Sequence, residues 1–494
     1  MPDRCLLGVD VGSSSVKAVL VNPQRRVVAS AARSVALYSD HPGWAEADPR
    51  EWWRALGELV PRLLSDAGVA ARDVAGVATS GMVPAVVVSD ASGRPLRRAM
   101  LQNDARATRE IDEVRDRLAD VDLLARTGSV LSQQSVAPSV AWLARHEPTV
   151  WAATATLQGS YDWLATALGA TAHVEANWAL ESGLYDLDGV AIPEVLAATG
   201  VDWPDLAPVV APGTRVGELS AAAAAHVGLV AGTPIVVGGA DHVLSAYGAG
   251  LVTPGDCLVK LGGAGDILCV SDHVVLDEAL YLDRHPVAGL WLPNGCMATS
   301  GSLLRWEQAL LGGVALETLD AEAGECVAGA LLALPYFLGE KTPLHDPDLR
   351  GALLGLHLGS TRGDVHRAFL EAIAYGFRTH VEIFERNGLD VGVTRVTNGG
   401  SRSRLWRQIL ADVLDRELVS IVDHPGASFA AAVLAGIGTG VIDDWSYVVD
   451  ALPVAEVLAP EPARVARYRE RYEAYLEFAA RTTDLSHRLA RSNP

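Results

Sequence analysis

Short apolar runs separated by glycine-rich or polar turns open the chain. Cys5-Leu6-Leu7-Gly8-Val9 and Val16 to Val21 flank the small-residue turn Gly12-Ser13-Ser14-Ser15, the pattern of a β-hairpin, and Val27 to Ala29 begins a third strand. Asp48-Pro49 is a helix start signal for a stretch running to Asp66. Val74 to Thr79 and Val83 to Ser89 read as strands before a turn at Asp90 to Gly93. Residues 105–127, 138–147 and 158–168 have helical spacing, with Trp163 and Leu164 on the apolar side of the last.

The pattern restarts near Pro234. Ile235-Val236-Val237 is a buried strand that ends in Gly238-Gly239-Ala240-Asp241 and leads into a small-residue helix from His242 to Ala249. Cys257 to Lys260 and Ile267 to Ser271 then flank Gly262-Gly263-Ala264-Gly265, with Gly262 and Gly263 in the places of Gly12 and Ser13. Val391 to Val396 is a further strand, followed by a Gly-Gly turn and a helix carrying Trp406, Ile409, Leu410 and Leu414. Pro460 to Leu489 is Arg- and Glu-rich with helical spacing. Two Gly-turn hairpins, each opening one half, predict a duplicated α/β fold with a cleft between the halves. Such hairpins are common enough to recur by chance as well.

Composition bounds this picture. A chain of 494 residues exceeds what one core usually serves, so two large domains are expected. With 49% hydrophobic and 20% charged residues, and glycines and prolines without a period, the chain is globular rather than disordered. A net charge of −20 argues against a nucleic-acid backbone or an anionic membrane as the main partner. No stretch approaches about 18 uninterrupted apolar residues, so no transmembrane helix is predicted, and no apolar signal segment precedes the first strand. The five cysteines lack CxxC spacing and a histidine cluster, which predicts reduced thiols in a cytoplasmic protein rather than a zinc site.

Three segments carry chemistry. Asp10-Val11-Gly12-Ser13-Ser14-Ser15-Val16-Lys17 is a tight turn whose backbone N–H groups and hydroxyls can cradle phosphate oxygens, with Asp10 placed to hold Mg²⁺. It lacks Walker A spacing, and an ordinary hairpin with a capping Asp has the same pattern. Gly238-Gly239-Ala240-Asp241 puts a carboxylate at a strand end, where it can accept a hydroxyl proton or simply cap the next helix. Thr397-Asn398-Gly399-Gly400-Ser401-Arg402-Ser403 lets a ring or a phosphate lie against backbone, or is a plain strand-to-helix turn.

Taken in order, these segments resemble the FGGY carbohydrate kinases, especially the pentulose-kinase branch. His41-Pro42-Gly43-Trp44-Ala45-Glu46-Ala47-Asp48-Pro49 with Trp52-Trp53 is similar to that family's PGWxExDP segment. Gln102-Asn103-Asp104-Ala105-Arg106 is similar to its WxDxR stretch, and Leu334-Pro335-Tyr336 with Gly339-Glu340-Lys341-Thr342-Pro343 to its LPY…GERTP block. Asp346 to Leu356 and Asn398 to Gln408 match two further family runs.

The resemblance implies two actin-like, ribonuclease-H-like ATPase domains, residues 1–245 on the sugar side and 246–494 on the ATP side. It implies Asp241 as catalytic base and Asp10 beside magnesium-bound phosphates. Gly12, Ser13, Ser14 and Lys17 would line the first phosphate loop and Gly262 and Gly263 the second, with Gly301, Gly399, Gly400 and Arg404 near adenosine. Trp44, Met82, Asn103, Asp104, Arg106 and Asp241 would line the sugar pocket. ATP and Mg²⁺ are the implied cofactors, a ketopentose such as xylulose or ribulose the implied substrate, and a homodimer the implied assembly.

Departures from the family pattern fall mostly on the substrate side. Ser80-Gly81-Met82-Val83-Pro84 stands where xylulokinases read SGQMHG, His242 replaces the usual Gln, and Ser13 replaces a Thr. The second phosphate loop lacks the usual Thr-Ser hydroxyls, Ser139 replaces a lysine, and Phe369 strains a second signature. A kinase of a polyol or sugar acid, such as glycerol, erythritol or a tetronate, is therefore the alternative. A catalytically silent sensor of the same fold is a lesser one, opposed by the intact Asp10, Lys17 and Asp241. A chaperone-like ATPase would need an appended peptide-binding domain, for which no region is spare.

Overall fold

The computed structural model describes residues 4–492 apart from 23, 25, 422, 423, 425, 452 and 453. The chain forms two compact units that interleave in sequence. The first comprises 1–252, 282–290 and 425–451, and the second 253–281, 291–424 and 452–494.

The first unit is built on a six-stranded sheet. Its strands are β1 (Cys5–Val11), β2 (Ser15–Asn22), β3 (Arg26–Ser34), β4 (Val74–Gly81), β5 (Arg215–Glu218) and β6 (Pro234–Ala240), in the order β5-β6-β4-β1-β2-β3. β1 pairs antiparallel with β2 and parallel with β4, and β4 pairs parallel with β6. The apolar runs of β1 and β6 are buried on both faces, as expected of central parallel strands. Helix α1 (Pro49–Ala67) packs on β2 and β3. The Asp48 carboxylate accepts the Arg50 N–H at 2.9 Å, Pro49 fills the first turn, and Gly68 ends the helix at φ +64°.

Further along this unit come α2 (Ala176–Glu181) and α3 (Asp241–Gly248). In the second unit lie α4 (Arg362–Arg386) and α5 (Arg404–Leu414); α6 (Ala427–Thr439) returns to the first unit and α7 (Pro462–Ser492) ends the second.

Helix α6 lies across β1 and β4. Its sequence, ASFAAAVLAGIGT, is small enough to let helix and sheet backbones meet. A Cβ on Gly8 of β1 would stand 1.9 Å from the Ser428 carbonyl oxygen and 2.5 Å from the Ala432 nitrogen. A Cβ on Gly76 of β4 would lie 2.8 Å from Thr439 Cγ2.

The second unit repeats the topology. β7 (Cys257–Leu261), β8 (Gly265–Cys269), β9 (Trp291–Met297), β10 (Thr394–Thr397), β11 (Leu418–Ile421) and β12 (Val454–Leu458) lie in the order β12-β11-β10-β7-β8-β9. β7 pairs antiparallel with β8 and parallel with β10, as β1 does with β2 and β4. The duplicated α/β fold expected from the two hairpins is therefore present, with a seventh strand, Tyr281–Arg284, added beyond β9 at the edge of the second sheet.

Several boundaries differ from the sequence-based expectation. The strand expected over Val83–Ser89 is only Val87–Ser89, because β4 runs on to Gly81 and Pro84 has no N–H for a ladder. The helix expected over 105–127 is two, Thr108–Arg117 and Leu123–Thr127, the second capped by Asp122, which accepts the Ala125 N–H at 2.9 Å. The expectation of five free thiols holds only for Cys5, Cys296 and Cys326. Cys257 and Cys269 are disulfide-bonded, because the β7–β8 register sets them directly opposite each other with Cα atoms 4.2 Å apart. Sequence spacing does not reveal a cross-strand pair of that kind.

The contact of α6 with β1 is tight enough to test. Gly8→Ala is expected to lower the stability of the first unit by about 1–3 kcal/mol or more, the scale of core overpacking. An unchanged urea midpoint in that variant would show that the helix can yield.

Candidate active site

Parallel strand register assembles one side of the site. Asp10 of β1 lies opposite Ser80 of β4, Val11 opposite Gly81, and Gly81 opposite Ala240 of β6. Asp10 and Asp241, the residue after β6, therefore sit at the same C-terminal edge of three adjacent strands, where ligands of open α/β sheets bind. Asp10 also faces Lys17 directly across the β1–β2 hairpin. The turn between them is closed by the Gly12 N–H donating to the Ser15 carbonyl at 2.9 Å, and Ser13, Ser14 and Lys17 are exposed. That leaves hydroxyls, an ammonium and a carboxylate around one small loop, a set able to hold phosphate oxygens.

Asp241 is the first residue of α3, and its side chain is 39% exposed. His242 Nδ1 stands 3.6 Å from Asp241 Oδ1. The other ring nitrogen, Nε2, is 2.7 Å from Asp283 Oδ2 and 3.8 Å from Glu181 Oε1. Burial pushes the Glu181 carboxyl well up, and the Asp283 charge adds to this. Burial alone would lower His242, but the Asp283 charge, with hydrogen bonding to Asp241 and Asp283, raises it well above the usual imidazole range. Behind this group Glu175, buried and hydrogen-bonded by Tyr161 Oη at 2.8 Å, is pushed up to about 7, mainly by burial. Nothing in the sequence singled out Glu181 or Asp283; neither belongs to a recognisable motif.

The residues expected at the sugar pocket divide. Trp44, Asp104 and Arg106 are brought together around a fully buried guanidinium. Arg106 donates Nε to Asp104 Oδ1 at 2.8 Å and Nη2 to Asp104 Oδ2 at 2.6 Å, and Nη2 also reaches Glu46 Oε1 at 2.8 Å. The guanidinium lies 3.6 Å over the Trp44 ring and 5.0 Å from that of Trp142. Asp104 further accepts the Ala45 N–H at 2.7 Å, tying the two expected segments to each other. Asn103 is exposed. Met82 is not an open lining residue: it is 1% exposed and packed in the core, with its N–H donating to the Val11 carbonyl at 3.1 Å. Ser139 lies on the helix Val136–His146 and Phe369 on α4, away from these loops in sequence and within packed helices.

In the second unit the glycine segments converge mainly through backbone, with the Ser302 hydroxyl donating to the Gly263 carbonyl at 2.8 Å. The Gly301 N–H donates to the Gly262 carbonyl at 2.8 Å and the Ser300 N–H to that of Gly263 at 2.9 Å. A Cβ on Gly301 would come within 2.6 Å of Gly262 O, so only glycine allows this approach. Lys260, opposite Thr397 in the parallel pair, sets the Gly262–Gly263 turn beside Asn398, whose φ is +71°. Gly399 has open space where a Cβ would be, and Gly400 packs on Trp406 and Leu261. Arg404 is exposed and donates Nε to Glu456 at 3.0 Å.

Residues 5–248 match the N-terminal domain of the FGGY family of carbohydrate kinases, and residues 272–439 match its C-terminal domain. The chain belongs to the FGGY family. It is a sugar kinase, transferring a phosphoryl group from ATP to a carbohydrate hydroxyl. The crystal structure of xylulose kinase from Rhodospirillum rubrum is 40% identical, with a TM-score of 0.91 over 98% of this chain and 100% of that one. Xylulose kinases of Staphylococcus epidermidis and Bacillus subtilis are 28% and 27% identical, each over 98% of both chains. No helix among the described residues of this FGGY kinase is long and apolar enough to cross a membrane.

Asp104→Asn would leave the buried Arg106 guanidinium with Glu46 as its remaining close carboxylate. The variant is expected to be destabilised by about 3 kcal/mol, the scale for breaking a buried ion pair. Denaturant unfolding at the wild-type midpoint would show the pair to be dispensable.

Proposed function

We propose that this enzyme phosphorylates a ketopentose, most simply xylulose, on a terminal hydroxyl, with Asp241 as general base and Mg-ATP as donor. The observation that carries the reading is the shared strand edge: a half-exposed carboxylate at the end of β6 and a phosphate-sized loop at the end of β1, fixed by one register. The names of relatives covering the whole chain support the substrate class.

In this reading the Asp241 carboxylate accepts the hydroxyl proton as the oxygen attacks the γ-phosphorus in line. A loose transition state releases that proton late, so an ordinary carboxylate suffices. Gly12, Ser13, Ser14 and Lys17 hold phosphate oxygens through hydroxyls, an ammonium and backbone, and the Gly262–Gly263 turn offers amides of the same kind. Gly301, Gly399, Gly400 and Arg404 take the adenosine. The open space over Gly399 and the backbone closeness of Gly301 to Gly262 favour this assignment. Asp10 supplies the kind of hard oxygen that Mg²⁺ prefers; one carboxylate, waters and the phosphates of the nucleotide suffice for that ion. When bound, the ion neutralises developing phosphate charge.

Trp44, Asn103, Asp104 and Arg106 form the sugar side. The buried Asp104–Arg106 pair gives Trp44 a fixed platform, while Asn103 is exposed and able to meet hydroxyls. Met82 contributes through its backbone, which ties the end of β4 to β1. The division of labour between residues 1–245 and 246–494 belongs to the same proposal, with 425–451 returning to pack on the first unit. Action in the cytoplasm as a homodimer is proposed on the family resemblance.

The test is Mg-ATP-dependent ADP release from purified enzyme offered ketopentoses, ketohexoses, tetritols, glycerol and sugar acids. Turnover is expected with a ketopentose, and Asp241→Asn is expected to lose about 100-fold or more in kcat while still binding ATP. Turnover only with a sugar acid or polyol would transfer the reading to that class. Near-normal turnover in Asp241→Asn would remove the residue from its role.

A further inference from the structure

The imidazole beside Asp241 is built into its surroundings on both sides. Asp283 is 2% exposed in its side chain, and a carboxylate so deeply buried requires a donor or a positive partner. His242 Nε2 supplies one at 2.7 Å, the length of a charge-assisted hydrogen bond. The ring is thereby anchored, and its second nitrogen, Nδ1, is turned to the carboxylate of Asp241 at ion-pair distance. One ligand atom each from Glu181, His242 and Asp283 lie within 4.8 Å of one another, a spacing also found around metals. Here the hydrogen bond to Asp283 already uses the Nε2 lone-pair direction that such an ion would need.

We propose that His242 is a positioning residue for the phosphoryl transfer: anchored on Asp283, its imidazolium orients the Asp241 carboxylate and keeps it ionised beside the anionic nucleotide. The inference rests on the reading of Asp241 as base. A base that must stay deprotonated next to the phosphates of ATP sits in a field that favours its protonation, and a fixed cation at 3.6 Å opposes that field. The contact of Nδ1 with Oδ1, at 3.6 Å, holds the carboxylate on the ring side of α3.

The groups facing His242 bear this out. Asp241 on its own helix and Asp283 on the short strand Tyr281–Arg284 are carboxylates that favour the cation, and Glu181 at the end of α2 is held towards its neutral form by burial and by Asp283. The elements packed on α3, namely α6, β6 and β4, carry no titratable side chain. Glu175, one step behind, is raised by burial and, in smaller part, by the Asp283 charge. Because the folded ring binds its proton more tightly than a free imidazole, the cation is present through neutral pH and is lost on the alkaline side. Turnover should therefore fall there as Nδ1–H is given up.

The experiment is kcat and KM against pH, with Mg-ATP and the best ketopentose, for wild type, His242→Gln, Asp283→Asn and Asp241→Asn. His242→Gln keeps a hydrogen-bonding side chain of similar reach but cannot carry charge. It is expected to lose between about 10- and 100-fold in kcat, the scale of a misplaced reacting group, with both KM values within a few-fold of wild type and the alkaline limb absent. Asp283→Asn removes the charge that favours the cation, so the limb should move acidward by at least about one pH unit. If that variant fails to melt cooperatively, His242→Gln decides alone, since His242 is 22% exposed and its replacement empties no core position. An alkaline limb in His242→Gln that superimposes on wild type overturns this inference while Asp241→Asn remains inactive. Turnover surviving in Asp241→Asn overturns the parent reading and the inference with it.

Discussion

The register of three parallel strands is the constraint on which the candidate site depends. Because Asp10 pairs with Ser80 and Gly81 with Ala240, a shift of one residue in either pairing would turn Asp10 to the other face or draw Asp241 away from it. What pins the register is close packing. Gly8 and Gly76 allow α6 to lie against β1 and β4 at backbone distance, and Gly238 approaches the Thr79 carbonyl so closely that a Cβ would stand 1.9 Å from it. The glycines of the strands thus have a purpose distinct from those of the turns. They remove side chains so that neighbouring backbones fix one another, and the carboxylates of Asp10 and Asp241 inherit that precision at the strand ends.

Much of this was legible in the sequence, for identifiable reasons. The hairpins at Cys5–Asn22 and Cys257–Cys269 announce themselves through apolar runs around small-residue turns, and their half-chain separation foretold two units of one topology. Asp241 was legible because it ends a glycine-bearing apolar strand. The return of 425–451 to the first unit was not legible, since an Ala-rich helix looks the same wherever it packs. Nor was the Cys257–Cys269 pair, which exists only through cross-strand register. Met82 shows the opposite error: its place in a family segment suggested contact with sugar, whereas its side chain fills the core.

The acids around Asp241 were the least legible part. Glu175, Glu181 and Asp283 are scattered over more than a hundred residues and belong to no spacing rule, yet folding brings Glu181 and Asp283 to His242 and sets Glu175 within reach of the Asp283 charge. Burial makes each of them expensive as an anion, and the structure answers in two ways. Glu175 and Glu181 shift towards their neutral forms, while Asp283 is matched with His242. A neutral Gln at position 242 could donate one hydrogen bond to Asp283 but could not balance its charge. His242 and the buried Asp283 form one arrangement, and neither can be judged from its sequence position alone.

The two units repeat one topology but place different chemistry on it. At the strand ends of the first lie carboxylates, hydroxyls and a lysine; in the second the Lys260–Asp266 pair flanks a turn of Gly262 and Gly263, and Gly301 and Gly399 add mostly backbone. Such a division suits a reaction with one chemically demanding partner and one bulky partner of fixed shape. A sugar hydroxyl must be selected and deprotonated, which requires titratable groups whose state can be tuned by neighbours. A nucleotide needs flat surfaces and N–H donors, which glycine-rich turns provide without side chains that would have to be ordered. The missing Thr-Ser hydroxyls of the second loop fit this: the Gly301 N–H and the Ser302 hydroxyl hold the Gly262 and Gly263 carbonyls, and a loop held in that way can present its amides without them.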